Sequence, residues 1–166
     1  MKGYILQALS EANAQDKCAY ESWSYLAKAE MITVQPIQEP SLIRFNPAST
    51  LAQRGVDAVY LAVSPKEYKD AIELIDQSLK NYDPTGISGR ACLIAMKAEA
   101  HYKMGTLDAW VSNVKEALIL AQAIGLSKIV ARVRRLHTDL RQSPWKEESG
   151  IAQLEAMLYS PSTGTE

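Results

Sequence analysis

The chain has 166 residues, of which 47% are hydrophobic, and its net charge is −1. This length is enough for one domain with a sizeable core, and the near-neutral charge gives no overall attraction to nucleic acid or to an anionic membrane. No apolar run reaches the roughly 18 to 20 residues of a membrane span, and polar residues interrupt the first segment too early for a signal peptide. Cys18 and Cys92 form no CxxC motif. The alternatives are one disulfide bridge or two buried, reduced thiols; we expect the second, which indicates a cytoplasmic protein.

The first part of the chain predicts two amphipathic helices, over residues 3–15 and 18–30. In each, apolar residues recur at helical spacing and form one face. These faces consist of Ile5, Ala8, Leu9 and Ala12 in the first helix, and of Ala19, Trp23, Leu26 and Ala27 in the second. We expect both faces to point inward, so that the two helices pack as a hairpin.

Residues 31–46 interrupt the helical pattern with Pro36 and Pro40. Proline lacks the N–H that a helix interior requires. The same segment is rich in Ile, Val, Leu and Phe, which favours an ordered loop packed against the core over a disordered linker.

A second pair of helices follows this loop. Asn46 and Pro47 suit the N-cap and first position of a helix, and Ser64 with Glu67 forms a capping box that begins the next one. The predicted inward residues are Ala52, Val56, Val59, Tyr60 and Val63 in the first helix, and Tyr68, Ala71, Ile72, Ile75 and Leu79 in the second. Asp83 and Pro84 close the pair.

Residues 87–126 predict a third pair, with Gly105 in the turn and Asp108 at the start of the second helix. Its inward faces are Ile87, Ala91, Ile94, Ala95, Ala98 and Tyr102, and then Trp110, Val111, Val114, Ala117, Leu118, Ala121 and Ile124. A helix over 127–142 with Ile129, Val133, Leu136 and Leu140 inward, and a short one with Ile151, Leu154, Glu155 and Leu158, complete the pattern.

Four helical pairs, each too small to bury its own apolar face, predict an all-α protein built as an α-solenoid of stacked antiparallel hairpins. We expect a single domain over residues 1–159 and a flexible tail over 160–166.

The third pair resembles a tetratricopeptide repeat. Ala98 stands at the small position of its first helix, Tyr102 near the end of that helix, Gly105 in the turn and Ala109 at the small position of its second helix. The second pair is similar through Ala71. In the first pair, Ser10 and Ser22 occupy places where Gly or Ala is usual. The resemblance implies a right-handed superhelix.

From about Ala52, the chain resembles the C-terminal repeat region of large bacterial helix-turn-helix transcriptional regulators. The resemblance lies in the stretch from LAQRG through KNYDP and in the runs SGRACLIAMKAEAHYKMG and IVARVRRLHTDLRQSPWKEESGIAQLEAML. Such regulators carry an N-terminal DNA-binding domain, whereas Met1 here leads straight into a repeat helix. The resemblance therefore implies a sensory or protein-interaction part, which is either a stand-alone protein or a fragment. Because the net charge is slightly negative, we expect no direct binding of nucleic acid by this chain alone.

The sequence contains no pattern typical of a catalytic site. No Ser or Cys lies in a nucleophile motif, and the two histidines, His101 and His137, have no third residue at metal-ligand spacing, so we expect no metal, no cofactor and solvated or groove-lining histidines. A basic helix carries Lys128, Arg132, Arg134, Arg135 and Arg141. These charges lie on both sides of an apolar face, which favours a solvated surface over a nucleic-acid site.

In a tetratricopeptide superhelix the first helices of each pair line the concave surface and contact a peptide. The resemblance therefore implies a peptide-binding groove whose residues are Asn13, Arg54, Asp57, Lys97, Glu99 and His101. The simpler alternative is that these side chains are only the solvated face of amphipathic helices. Two functions remain open: a module that binds a protein or peptide, and a scaffold that forms a homodimer.

Overall fold

A computed structural model of the chain describes residues 2–33, 47–83, 85–142 and 149–159. Within these ranges the chain forms eight α-helices and no β-strand, which confirms the all-α prediction. The helices are α1 (Lys2–Gln15), α2 (Ala19–Thr33), α3 (Pro47–Leu61), α4 (Pro65–Asn81), α5 (Ile87–Lys103), α6 (Leu107–Ala123), α7 (Ser127–Arg141) and α8 (Ser149–Tyr159). None of these described helices is long and apolar enough to cross a membrane.

One predicted boundary is wrong, and other predicted features lie outside the described residues. Helix α2 continues to Thr33, so the predicted loop does not begin at residue 31. The rest of that loop, the predicted N-cap Asn46 and the predicted flexible tail lie outside the described residues.

The start of α4 shows the predicted capping box. The Ser64 side chain accepts a hydrogen bond from the Glu67 backbone N–H at 3.3 Å, and Glu67 Oε2 accepts one from the Ser64 backbone N–H at 2.9 Å. Both hydrogen bonds satisfy backbone N–H groups that have no partner within the helix.

A residue with a left-handed backbone lies two positions after the last residue of each of α1, α5 and α6. Gly105 has φ 71° and Gly125 has φ 68°, as suits a residue without a Cβ atom. The end of α1 uses Lys17 instead, with φ 62°. There the Cys18 N–H donates to the Asn13 carbonyl at 2.8 Å, and the Lys17 N–H donates to the Ala14 carbonyl at 3.0 Å. This pair of hydrogen bonds is typical of a Schellman turn.

The helices divide into two compact units, which we call unit 1 (Met1–Pro84) and unit 2 (Thr85–Glu166). In unit 1, α1 packs on α2 and α3 packs on α4, while α1 and α2 both contact α3. A Cβ atom on Gly55 would lie 2.8 Å from Ile75 Cγ1, so α3 and α4 approach too closely there for any side chain. The buried apolar residues of unit 1 are Ala14, Leu26, Ala29, Ala52, Val59, Ala62, Ala71 and Ile75.

The predicted orientation of α1 is wrong. Ile5 is 54% exposed and Leu9 is 40% exposed, and Ala8 and Ala12 are exposed as well. The buried face of α1 is instead the opposite one, formed by Gly3, Gln7, Ser10 and Ala14. Hydrogen bonds from Ser10 to other helices of unit 1 hold this face inward, and they compensate for the cost of burying a hydroxyl group.

Three further predictions are corrected. Trp23 is 37% exposed, Ala19 and Ala27 are exposed, and Leu26 alone of the predicted α2 face is buried. Val63 follows the end of α3 and is 81% exposed. The thiols are exposed rather than buried, since Cys18 lies in the turn before α2 and Cys92 on the outer side of α5.

Unit 2 follows its sequence pattern more closely. Helix α5 packs on α6, α7 contacts both, and α8 contacts α6 and α7. Fully or nearly fully buried side chains include Ala91, Ile94, Ala95, Ala98, Trp110, Val114, Ala117, Leu118, Ala121, Ile129, Val133, Leu136, Leu140, Ile151, Leu154 and Leu158. Ile124 is an exception because it lies beyond the end of α6 and is 41% exposed.

Candidate functional site

The structure places the predicted groove residues of unit 1 in three different environments. Asn13 is half-buried, and its Nδ2 donates to the Leu9 carbonyl of its own helix at 2.7 Å. Arg54 is partly exposed and forms an ion pair with Glu30 of α2 at 2.5 Å. Asp57 is 0% exposed, so the prediction that it points outward is wrong. Of these three predicted groove residues, only Arg54 therefore presents a charged group at the surface.

Asp57 is the acceptor at the centre of a buried polar cluster. Ser10 Oγ donates to Asp57 Oδ2 and lies 2.8 Å from the Ser22 carbonyl oxygen, Ser22 Oγ lies 3.4 Å from Oδ2, and Gln53 Nε2 donates to Oδ1 at 2.8 Å. Burial raises the pKa of the Asp57 carboxyl above its ordinary value, while the hydrogen bonds from Ser10 and Gln53 oppose this rise. The cluster joins α1, α2 and α3, and its role is to position these helices.

The predicted groove residues of unit 2 lie on α5. Glu99 Oε2 accepts a hydrogen bond from Arg132 Nε of α7 at 2.8 Å, and the two side chains are only 14% and 23% exposed. His101 Nδ1 lies 2.9 Å from the Thr106 hydroxyl in the turn after α5, and Lys97 is half-buried. These contacts stay within the unit. A peptide groove built from these residues remains a prediction.

A groove of about 330 Å³ lies between α2, α3 and α4 in unit 1. Its volume is within the range of small-ligand sites, roughly 300 to 1,000 Å³. Its lining residues are Ala19, Trp23, Ala58, Leu61, Ala62, Glu67, Asp70, Ala71 and Leu74. The four alanines among them leave the space, and the indole of Trp23 borders it. Since Trp23, Glu67 and Asp70 are exposed, the groove opens to solvent.

Two carboxylates of α4 lie at the rim of this groove. Glu67 accepts hydrogen bonds from the backbone N–H groups of Val63 at 2.7 Å and Ser64 at 2.9 Å. These bonds, with that from Val63 first, lower the pKa of Glu67 below its ordinary value, so its charge is present throughout the neutral range. Asp70 follows one turn later and lines the same groove. The rim is therefore anionic while the floor is apolar.

Arg54 lies close to this groove along α3. It precedes the lining residue Ala58 by four positions, so both lie on the same side of the helix. Its guanidinium group is already engaged by Glu30. Neither Arg54 nor Glu30 lines the groove, so the charged residues that line it are Glu67 and Asp70 of α4.

The basic side chains of α7 are largely engaged within unit 2. Arg132 binds Glu99, Arg134 donates to the Leu158 carbonyl at 3.3 Å and lies over the Tyr159 ring, and Arg141 pairs with Glu155 at 3.2 Å. These contacts tie α7 to α5 and α8. They agree with a stabilising role for the charges better than with a nucleic-acid surface.

The histidines occupy unlike positions. His137 is 0% exposed, so the prediction of a solvated or groove-lining ring is wrong for it; its ring packs edge-on against Tyr159, with centroids 6.3 Å apart. Neither of its ring nitrogens has a hydrogen-bond partner among the described residues. No group of three or more metal-binding side chains is present in the part of the chain that the structure describes.

The sequence contained a weak signal for the groove, namely small residues opposite a large aromatic one, which the helical spacing of apolar residues does not reveal. Ala58, Ala62 and Ala71 fall at close-packing positions of α3 and α4, and Trp23 and Ala19 lie on the facing side of α2. Small residues opposite one large aromatic residue either pack tightly or leave a gap, and only the distance between the helices decides which. Here the helices leave a gap.

No family model, no curated protein and no solved structure matches this chain.

Proposed function

We propose that the chain is a non-enzymatic module that binds a protein or peptide partner, and that the groove between α2, α3 and α4 is its recognition site. The single observation that carries this proposal is the combination of an open apolar groove with two carboxylates at its rim. Sites for ligands are typically concave and mostly apolar, with a few polar groups that orient what binds. The Trp23 indole adds an aromatic surface of the kind that often dominates binding energy.

The chemistry of the groove defines the ligand class. The alanine and leucine lining suits a Leu, Met or Phe side chain, whose full burial contributes roughly 1.5–3 kcal/mol. Glu67 and Asp70 suit a lysine or arginine next to that residue in the partner. Because the carboxylates are exposed, they contribute more to selection among partners than to affinity. The preferred ligand is therefore an apolar residue flanked by a basic one.

The wider proposal follows the sequence resemblance. Adjacent helices pack as hairpins in α1–α2, α3–α4 and α5–α6, and this supports a tetratricopeptide-like right-handed solenoid. The resemblance of the residues from Ala52 onward supports a place in bacterial transcriptional regulation, as the sensory or interaction part of a cytoplasmic regulator. In that setting the module would report the presence of its partner without contacting DNA itself.

The test starts from a synthetic peptide array in which Leu, Met or Phe is combined with Lys, Arg, Glu or Gln neighbours. We expect binding of the basic-flanked apolar peptides and little binding of the acidic-flanked ones. The best peptide is then titrated by calorimetry against the wild type and three variants. Trp23→Ala should weaken binding about tenfold or more, as truncation of an aromatic anchor does.

The charge test uses a matched pair on one helix. Asp70→Lys and Glu73→Lys change the net charge equally, and both residues are exposed on α4, but only Asp70 lines the groove. We expect Asp70→Lys to weaken binding several-fold and Glu73→Lys to leave it nearly unchanged. Equal effects of the two variants, or equal binding of acidic-flanked peptides, would contradict the groove as the site.

A further inference from the structure

The outward face of α1 is apolar and continuous. Ile5, Ala8, Leu9 and Ala12 lie within an arc of about 100° on the helix, and this arc is centred about 180° from the buried face. Ile5 is 54% exposed and Leu9 is 40% exposed. An amphipathic helix ordinarily buries such a face, so a helix that exposes it while burying Gln7 and Ser10 requires an explanation.

Unit 1 itself cannot rotate α1 to hide this face. The Ser10 hydroxyl is bonded to the Ser22 carbonyl of α2 and to Asp57 of α3, and Gln7 and Ala14 lie on the same inner side. Turning the helix would break these hydrogen bonds and leave the Asp57 carboxyl buried without a donor from α1, which is costly. The apolar face is therefore fixed in its outward orientation.

We infer that this face binds the same face of a second copy of the chain, with the two α1 helices antiparallel about a twofold axis near Leu9. Most homo-oligomers are twofold dimers in which one surface meets its own copy. Helix α1 has 14 residues and is about 21 Å long, so an antiparallel pair overlaps along its whole length. In this arrangement the two Leu9 side chains meet each other near the axis, and Ile5 of each copy packs close to the small Ala12 of the other.

The charges at the two ends of the face identify a second copy as the occupant. Lys2 lies at the start of α1 and Asp16 directly after its end, both at or beside the edge of the apolar face. An antiparallel pair brings each Lys2 next to the Asp16 of the other copy, so two opposite-charge contacts form. A parallel pair would place Lys2 beside Lys2 and align the helix dipoles, both of which are unfavourable.

The area of the contact between the two α1 helices sets the expected affinity of the dimer. A contact one helix wide buries less than the ~1,200 Å² at which stable complexes begin, so we expect a reversible dimer with a dissociation constant of roughly 0.1 mM. A monomer–dimer equilibrium in that range responds to local concentration. It would be favoured when two chains are held close together by a common partner or by a longer polypeptide.

The first experiment is sedimentation equilibrium of the wild type over concentrations from about 10 µM to about 1 mM. We expect Leu9→Glu to weaken dimerisation at least tenfold, because two carboxylates then meet at the twofold axis. The matched control is Ile119→Glu, which places the same charge at a 59%-exposed isoleucine of α6 and should leave the equilibrium unchanged. Circular dichroism checks that both variants keep their helices.

The second experiment tests the antiparallel direction by exchanging charges. Lys2→Glu alone and Asp16→Lys alone should each weaken the dimer about fivefold, since each change affects both symmetric contacts. The double variant Lys2→Glu/Asp16→Lys should restore wild-type strength. A chain that stays monomeric near 1 mM, a dimer that is insensitive to Leu9→Glu, or a double variant no stronger than the single ones would each overturn the proposal.

Discussion

Ser10 of α1 donates a hydrogen bond to the carboxyl group of Asp57 in α3, and both residues are 0% exposed. The two residues are 47 positions apart in the chain. This contact helps to decide which side of α1 faces the core, because it gives a buried hydroxyl and a buried carboxyl a hydrogen-bond partner on another helix. The outward apolar face of α1 is the direct consequence.

The Asp57 carboxyl gives the first prediction. Its folded-state pKa lies above the reference value of 3.8, so the folded chain binds more protons than the unfolded chain as the pH rises past that value. The contribution of Asp57 to the free energy of unfolding is then full below about pH 3.8 and declines as the pH rises through the folded-state pKa. Asp57→Asn has no such group, so its stability relative to the wild type should increase between pH 4 and pH 7.

Urea unfolding of both proteins across this pH range measures the difference directly. The comparison isolates Asp57, because groups such as Glu67, whose pKa is lowered and whose contribution is lost as the pH falls, are present in both. As a control for loss of the cluster, Asp57→Ala should be less stable than Asp57→Asn by about 1–3 kcal/mol at every pH, because neither variant carries the titrating carboxyl. A wild type that gains stability relative to Asp57→Asn with rising pH would show that the carboxyl is stabilised in its charged form.

Two glycines should be intolerant of alanine for different reasons. At Gly125 the backbone has φ 68° and an added Cβ would meet nothing within 4 Å, so Gly125→Ala should cost about 1 kcal/mol through backbone strain alone. At Gly55 the added Cβ would lie 2.8 Å from Ile75 Cγ1 and 3.2 Å from the Ile75 backbone nitrogen, so Gly55→Ala should cost about 1–3 kcal/mol through overpacking.

Backbone strain and overpacking can be distinguished by shortening the Ile75 side chain, which lies next to Gly55. Ile75→Ala should recover part of the loss in the Gly55→Ala background and should have no such effect in the Gly125→Ala background. Chemical denaturation of the three single variants and the two double variants measures both effects. Additive losses for Gly55→Ala and Ile75→Ala would mean that the two positions are not in contact.

Ala98 is the small residue that we expect to tolerate enlargement least. It is 0% exposed in the middle of α5, and overpacking a site of this kind commonly costs about 1–3 kcal/mol. We therefore expect Ala98→Trp to lower the thermal midpoint strongly. Ala131→Trp, at an exposed alanine of α7, is the matched control and should be nearly neutral. Equal melting curves for the wild type and Ala98→Trp would contradict the packing of α5.

The chain alone should not bind DNA with useful affinity. Its net charge is −1, and Arg132, Arg134 and Arg141 of α7 are engaged by groups of unit 2. We expect no retardation of duplex DNA in a gel at roughly 10 µM protein and ~0.1 M salt. Steep, salt-dependent retardation that disappears in Arg132→Glu/Arg135→Glu would make this expectation wrong.

The local order of residues was sufficient to predict several helix boundaries, although not the end of α2 at Thr33. Proline at the start of α3 and α4, the Ser64–Glu67 cap and the left-handed Gly105 act within a few residues, so each could be inferred without knowing the fold. The inward face of α7 was equally predictable, because Ile129, Val133, Leu136 and Leu140 are the only large apolar stripe that helix has to bury.

Tertiary structure alone decided the orientation of α1, the burial of Asp57 and the gap beside Trp23. An amphipathic pattern shows that a helix has an apolar side, but not whether that side meets the core or another molecule. In α1 the choice depends on a serine and an aspartate in separate helices that satisfy each other's hydrogen bonds. In the groove it depends on the spacing of α2, α3 and α4, a distance that no single helix encodes. Both are set by partners far apart in the chain, and such pairings become visible only when the helices are packed.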